Sequence, residues 1–413
     1  MRRLGGSRSG QIGFHRFLHS PAVTVGEMAG TAQTELAGRV ADRRILAIQD
    51  TTDLCADDAR HSLCAHPVIA LEAGSGALLG LAGIEFYARQ ARDGGGTKHR
   101  RRSLAHDEKR SARWLRGLGH GLALLRAGAG HVLVVADREG DIYEDFAFAC
   151  DPAHAGLDLL VRAAQDRCLA EGGRLFAFAG ALDCADEITV DLAAAPGRKA
   201  RQAIVRYGYS PVAIVRPQGR ATPGERDALP ADVRLSLIVT REENPPKGYP
   251  PASWILLTSE PVTSAAAAET MIRAYRHRWI IEQLFRTLKS KGFGIDTARM
   301  AYAALEKLAT AAVIAAIRVM QLVQARDNAA GRPIGDVFGP AEVPLLEALN
   351  SSVQGATARQ RNPHPPGSLA WAAWIIARLG GWDGYYGKPG PITMYNGLRD
   401  FNAAMLGWTT RDV

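Results

Sequence analysis

The residues best placed to do chemistry in this 413-residue chain are three acids, Asp50, Asp137 and Glu282. Asp50 closes the apolar run Ile45-Leu46-Ala47-Ile48, and Asp137 closes Val132-Leu133-Val134-Val135-Ala136. Each run reads as a buried strand with a carboxylate at its C-terminal end. If the two strands are parallel neighbours, the carboxylates share one sheet edge. They then repel unless a cation lies between them. A donor set made only of oxygen suits Mg²⁺ or Mn²⁺. Strand-end aspartates also serve as caps and turn formers, so the pair alone leaves both readings open.

Glu282 has a different setting. The spacing predicts one long helix over Ala265 to Lys291, on which Tyr275, Arg278, Glu282 and Lys289 are offset by 3, 7 and 14 residues. At the helical repeat they fall within an arc of about 60° along roughly 21 Å of axis. Ile281, Leu284 and Leu288 fall on the opposite side as a buried seam. A solvated face of mixed charge is the plain alternative. It accounts less well for a stripe holding a tyrosine and a single acid.

The elements that must position these groups come in a recognisable order. After the first strand come Pro67 to Leu71 and Leu78 to Tyr87, joined by a turn at Ala73 to Gly76. A basic, glycine-rich loop (Asp93 to Arg102, with Lys98, Arg100, Arg101 and Arg102) precedes a helix over Asp107 to Arg126. Then come the strand ending at Asp137, a helix over Gly140 to Cys150 and a strand over Leu157 to Arg162. Three strands, then helix, strand, helix and strand, resemble the α/β ribonuclease H-like fold, a mixed sheet flanked by helices.

Within residues 163–251, Ile188 to Leu192, Ala203 to Tyr207 and Val233 to Thr240 read as strands of a β-rich insertion. Glu243 to Gly248 reads as the link back, and Trp254 to Thr258 as a last core strand. The expected organisation is an N-terminal segment (1–44), a first core part (45–162), the insertion (163–251), a second core part with the catalytic helix (252–300), and a helical C-terminal region (301–413).

Composition sets the outer bounds. Apolar residues at 47% and charged residues at 22% support an ordinary packed core, and a net charge of +8 favours a polyanionic partner. Five cysteines without a CxxC pair argue against structural zinc and a disulfide framework. Leu308 to Ala325, interrupted by Arg318, reads as a buried helix rather than a membrane span.

Tyr275-(2)-Arg278-(3)-Glu282-(6)-Lys289 resembles the Y-R-E-K signature of the DDE insertion-sequence transposases of family four, which include the Tn-five-type cut-and-paste enzymes. AIQDTT around Asp50 and ADREGDIY around Asp137 are similar to that family's first and second acidic motifs. Glu108 to Trp114, Glu242 to Val262, Gly367 to Trp371 and Ile376 to Gly381 extend the likeness from about Gly13 onward. Arg110 departs from the pattern, standing where the family often has a second glutamate.

The resemblance implies a DNA transposase whose Asp50, Asp137 and Glu282 hold two Mg²⁺ or Mn²⁺ ions for phosphodiester hydrolysis and strand transfer, through a hairpin intermediate. It assigns Tyr275, Arg278, Lys289 and Arg162 to DNA phosphates and Trp254 to stacking on a flipped base. Its partners would be double-stranded DNA (element ends and target) and a second copy in a synaptic homodimer, in the cytoplasm at the bacterial nucleoid. Family members usually carry a larger recognition domain ahead of the segment Gly13 to Pro21, so 1–44 is expected to be its shortened remnant. A catalytically idle DNA-binding remnant, a non-transposing nuclease and a two-carboxylate glycoside hydrolase are the competing classes.

Overall fold

The computed structural model describes residues 8–58, 61–90, 112–192, 200–218, 228–249, 251–290, 293–298, 300–327 and 331–409. Two helices, α1 (Arg8–His19) and α2 (Val25–Val40), precede strand β1 (Arg44–Gln49). Next come β2 (Thr52–Asp58), β3 (His61–Glu72), β4 (Leu78–Gln90), α3 (Ala112–Arg126), β5 (His131–Ala136), α4 (Tyr143–Ala149) and β6 (Leu157–Arg162). The insertion supplies α5 (Leu175–Ala181), β7 (Asp186–Leu192), β8 (Arg201–Val215) and β9 (Asp232–Glu242). β10 (Ser253–Thr258), α6 (Ala265–Arg276), α7 (Trp279–Ser290), α8 (Tyr302–Ala325), α9 (Val343–Val353), α10 (Leu369–Leu379) and α11 (Pro391–Thr409) complete the chain.

The chain divides into two compact units. One comprises 42–50 and 92–279 and contains a mixed sheet in the order β1-β5-β6-β10-β9-β8-β7. β1, β5 and β6 are parallel, with Ile48 opposite Val135 and Val135 opposite Leu160, whereas β10, β9, β8 and β7 run antiparallel in turn. Strands buried on both faces must be apolar throughout. Ile45 to Ile48 and Val132 to Ala136 are all at most 1% exposed. α3 lies against β5, where Gly121 leaves room for Val134 and Leu157: a Cβ there would fall within 2.9 Å of both. The order of elements and the helical C-terminal region give an α/β ribonuclease H-like catalytic core with a β-rich insertion. The insertion is not a separate sheet: β10 is paired along its whole length with residues Ser236 to Arg241 of β9.

The second unit holds residues 1–41, 51–91 and 280–413. Its strands β2, β3 and β4 form an antiparallel set, and β2 is a strand that the sequence pattern does not single out. Side chains from two helices satisfy backbone groups of β4 that its pairing with β3 leaves over. From α2, Gln33 donates to the Ala82 carbonyl (2.6 Å) and Arg39 to that of Leu79 (3.2 Å). From α8, Gln321 donates to the carbonyls of Leu78 and Leu79, and Gln324 accepts from the Leu78 amide. Covering an edge in this way removes a template for unwanted pairing. α8 is long and apolar enough to cross a membrane, yet most of it is buried, as expected of a core helix.

Arg332 completes this seam. It donates to the Leu78 carbonyl and to Asp336 at 2.8 Å, and both ionic side chains are only 7% exposed. Replacing Asp336 by alanine strands a buried guanidinium, a change that costs about 3–5 kcal/mol. Urea denaturation of Asp336→Ala should show a loss of that size, and an unchanged midpoint would refute the role given to the pair.

Candidate active site

Parallel pairing carries β1 and β5 to a common end, so Asp50 and Asp137 leave neighbouring strands one residue beyond the last strand position on each. Asp137 turns at once into a short 3-10 turn over Arg138–Gly140 and caps it, its Oδ1 accepting from the Glu139 amide at 2.8 Å. Asp50 is neutralised differently. Arg278 Nη1 donates to Asp50 Oδ2 at 3.0 Å, with the two side chains 18% and 16% exposed.

Around this pair the same unit collects most of the residues to which the sequence assigned DNA contacts. Tyr275 is 6% exposed and lies within electrostatic reach of both Arg278 and Arg162. Burial raises its phenol above the usual value against the pull of Arg278 and Arg162, and Asp137 raises it further, so the group is a neutral donor at physiological pH. Burial, with Arg138 and Arg278 nearby, holds Arg162 below the usual arginine value, and Arg162 also donates to the Ser253 carbonyl at 3.1 Å. Trp254 is half-buried one strand away, its ring 6.1 Å from that of Tyr275 and tilted by 59°. Two acids, two arginines, a tyrosine and a tryptophan thus meet at one end of one sheet.

The single helix expected over 265–291 is two. α6 ends at Arg276, a turn at His277 and Arg278 intervenes, and α7 begins at Trp279. Tyr275 therefore closes α6, Arg278 lies in the break, and only Glu282 and Lys289 share one helix. Seven residues apart on α7, those two still lie on one face, while Ile281, Leu284 and Leu288 are buried. Glu282 and Lys289 are half-buried and belong to the unit that contains 280–413.

The sequence profile of the family described as transposase DDE domain matches residues 55–318, well over half of the chain. The chain belongs to the DDE transposases. The matched span includes Asp137 and Glu282, and Asp50 lies just ahead of it.

Two residues essential to the shape of this transposase's catalytic unit are not evident from sequence. Asp141, 1% exposed, accepts from the amides of Ala164 and Gln165 and forms a buried ion pair with Arg167 at 2.5 Å. It thereby locks the segment after Asp137 to the segment after Arg162. The only signal is its place in the DREGD run, where it looks like one more turn-forming aspartate. The expected basic loop with Lys98, Arg100, Arg101 and Arg102 lies outside the described residues. Arg201 is committed to Glu242, an acid that is 9% exposed.

A second oxygen- and nitrogen-bearing group sits at the opposite end of the strands: His131, Asp158 and Glu260 hold donor atoms within 4.8 Å of one another. Its charges are matched internally, with Arg44 on Glu260, Ser259 donating to Asp158, and His131 2.9 Å from Asp158. It fastens the starts of β1, β5 and β6 to the end of β10 and has no part in the Asp50–Asp137 edge.

Removing the Asp50 partner should be measurable apart from catalysis. Arg278→Ala is expected to lose about 1.5–3 kcal/mol, the usual worth of a hydrogen bond to a charged group. Arg278→Lys should recover part of that loss in the same denaturation assay. An alanine variant as stable as the parent would mean that the pair contributes nothing.

Proposed function

We propose that the chain cuts and joins DNA at the ends of an insertion sequence, with Asp50, Asp137 and Glu282 as its catalytic, metal-holding acids. The observation that carries the reading is the placement of Asp50 and Asp137 at the ends of adjacent parallel strands, in a chain of a family named for three such acids. Their donors are oxygen only, which fits Mg²⁺ or Mn²⁺, and Arg278 already marks Asp50 as a carboxylate in need of a cation. Two such ions would supply activation of a water or a 3′-hydroxyl and charge stabilisation on the leaving oxygen at phosphorus.

The chain's own residues would do the rest. Tyr275, as a neutral phenol, donates to a phosphate oxygen. Arg162, Arg278 and Lys289 match backbone charge and hold the strand in register. Trp254, tilted against Tyr275, offers a face to a base turned out of the duplex, as a hairpin intermediate requires. Arg278 has two tasks in this scheme, balancing Asp50 before the cations bind and holding phosphate afterwards. A synaptic homodimer on paired ends, and action at the bacterial nucleoid, belong to the same reading.

Incubation with element-end DNA and Mg²⁺ or Mn²⁺ should give nicks and hairpins that EDTA abolishes. Glu282→Gln should slow cleavage about a thousandfold or more, because metal stabilisation is worth several kcal/mol. Cleavage that survives in Glu282→Gln would sink the assignment of the acids. DNA binding without cleavage by the parent protein would favour an idle DNA-binding remnant instead.

Trp254→Ala should spare first-strand nicking while lowering hairpin yield about tenfold, since stacking supplies roughly 1–3 kcal/mol per base. Equal loss of both products would show that Trp254 is only part of the packing.

A further inference from the structure

A recess of about 240 Å³ lies far along the chain from the acids, among the C-terminal helices. Its floor is apolar and aromatic, with Ala373 and Trp374 of α10, Trp382 and Pro363. Its rim is cationic: Arg326, Arg359, Arg361 and Lys388 face it, against a single acid, Asp327. Asp327 is committed to Lys388 at 2.9 Å and lies 3.8 Å from Arg326. Arg359 and Arg361 have no acidic partner among the described residues, and both are exposed. Exposed cations ordinarily repel one another, so two of them beside the Asp327–Lys388 pair and an aromatic floor call for an anion that also has a flat apolar part.

The local backbone is built to hold this arrangement. The loop 380–387 packs on the turn at 358–361, and Gly384 sits at φ +88° where a Cβ would meet the Arg359 carbonyl at 2.9 Å. Only glycine permits that approach. It brings Tyr385 to the Arg359 guanidinium, 6.0 Å from ring centre to carbon, and Thr357 fixes the Tyr385 hydroxyl at 2.7 Å. Asp383 accepts from the amides of Tyr385 and Tyr386, and this turn leaves Tyr386 85% exposed. An aromatic ring that far into solvent, one residue from the ring that Arg359 faces, makes no contribution to the core.

We propose that this recess and the Tyr385–Tyr386 loop form a second DNA contact, which takes nucleotides of a single strand. Arg359 and Arg361 hold successive phosphates, one base enters the aromatic recess, and Tyr386 stacks on its neighbour. Unpaired strands are favoured over duplex because bases inside a duplex present no face to an aromatic ring, whereas cations interleaved with rings are the usual platform for single strands. A cavity below the roughly 300 Å³ of most ligand pockets suits one base rather than a larger molecule. The choice of DNA among anions rests on the transposase reading above, since the hairpin of that reading turns bases out of the duplex and leaves them unpaired beside the cut.

The test uses the whole protein, a fluorescent oligothymidylate carrying 5-iodouracil, and a blunt duplex of equal length. Arg359→Ala/Arg361→Ala should weaken oligothymidylate binding at least tenfold. It should also lower the slope of log affinity against log salt by about 1.4, two phosphate contacts at about 0.7 each. Tyr386→Ala should weaken single-strand binding about fivefold. Thermal melting should be unchanged in both variants, and blunt-duplex affinity should change less than twofold. Photo-crosslinks should map to residues 374–388. Unchanged affinity and slope, equal losses for duplex and single strand, or crosslinks confined to 42–279 would each overturn the proposal. Oligothymidylate binding is also to be measured on Glu282→Gln, where it should persist; failure of DNA cleavage in the parent protein would then count against the transposase chemistry and leave this site standing.

Discussion

Parallel hydrogen bonding between β1 and β5 forces two distant chain segments to finish side by side, and the two residues at that finish are both acids. A sheet puts no restriction on the residue just beyond its last paired position, so the strands can be wholly apolar and rigid while the next position is charged. The charge must then be answered locally. In Asp137 the answer is a backbone amide of the succeeding turn, and in Asp50 it is the Arg278 guanidinium. The two acids of one edge are thus held by a neutral and a charged partner, which leaves Asp50 the more strongly compensated of the pair.

The same unit solves its electrostatics a second time, deeper in. Asp141 and Arg167 form an ion pair with almost no solvent access, and Asp141 also accepts two backbone amides. A buried pair of this kind gives little net stability, because desolvation offsets most of the attraction. Its value lies in geometry: it allows one relative placement of the loops after β5 and β6. The first of those loops begins with Asp137 and the second starts just past Arg162. The spacing of Asp137 and Arg162 is therefore set by a pair that itself has almost no access to solvent.

Much of this was legible from the sequence, and the misses have identifiable causes. Strands β1, β5, β6, β9 and β10 were readable because their apolar runs, bounded by polar residues and rich in branched side chains, are too short for a buried helix. β2 was not, since Thr52 to Asp58 carries three acids and its place depends on pairing with β3. α5 was hidden by its length of seven residues, too short to show a periodic face. The break between α6 and α7 had no proline or glycine to announce it. The helical pattern continues through His277 and Arg278, and the interruption lies where Arg278 reaches Asp50. For the site, residue types and order pointed to the acids, while the Asp50–Arg278 and Asp141–Arg167 pairings are products of tertiary placement that no spacing rule contains.

The continuous pairing of β9 with β10 has a bearing on how the chain can be shortened. β10 lies between β6 and β9, and its Leu256 and Leu257 are fully buried. Excising 163–251 as a dispensable module would strip one side of β10 and leave a bare, greasy strand margin open to any other chain in solution. Such a strand is a seed for clumping. The insertion therefore acts as a selvedge on the catalytic sheet, and natural relatives that differ in its length should still retain a partner strand beside β10.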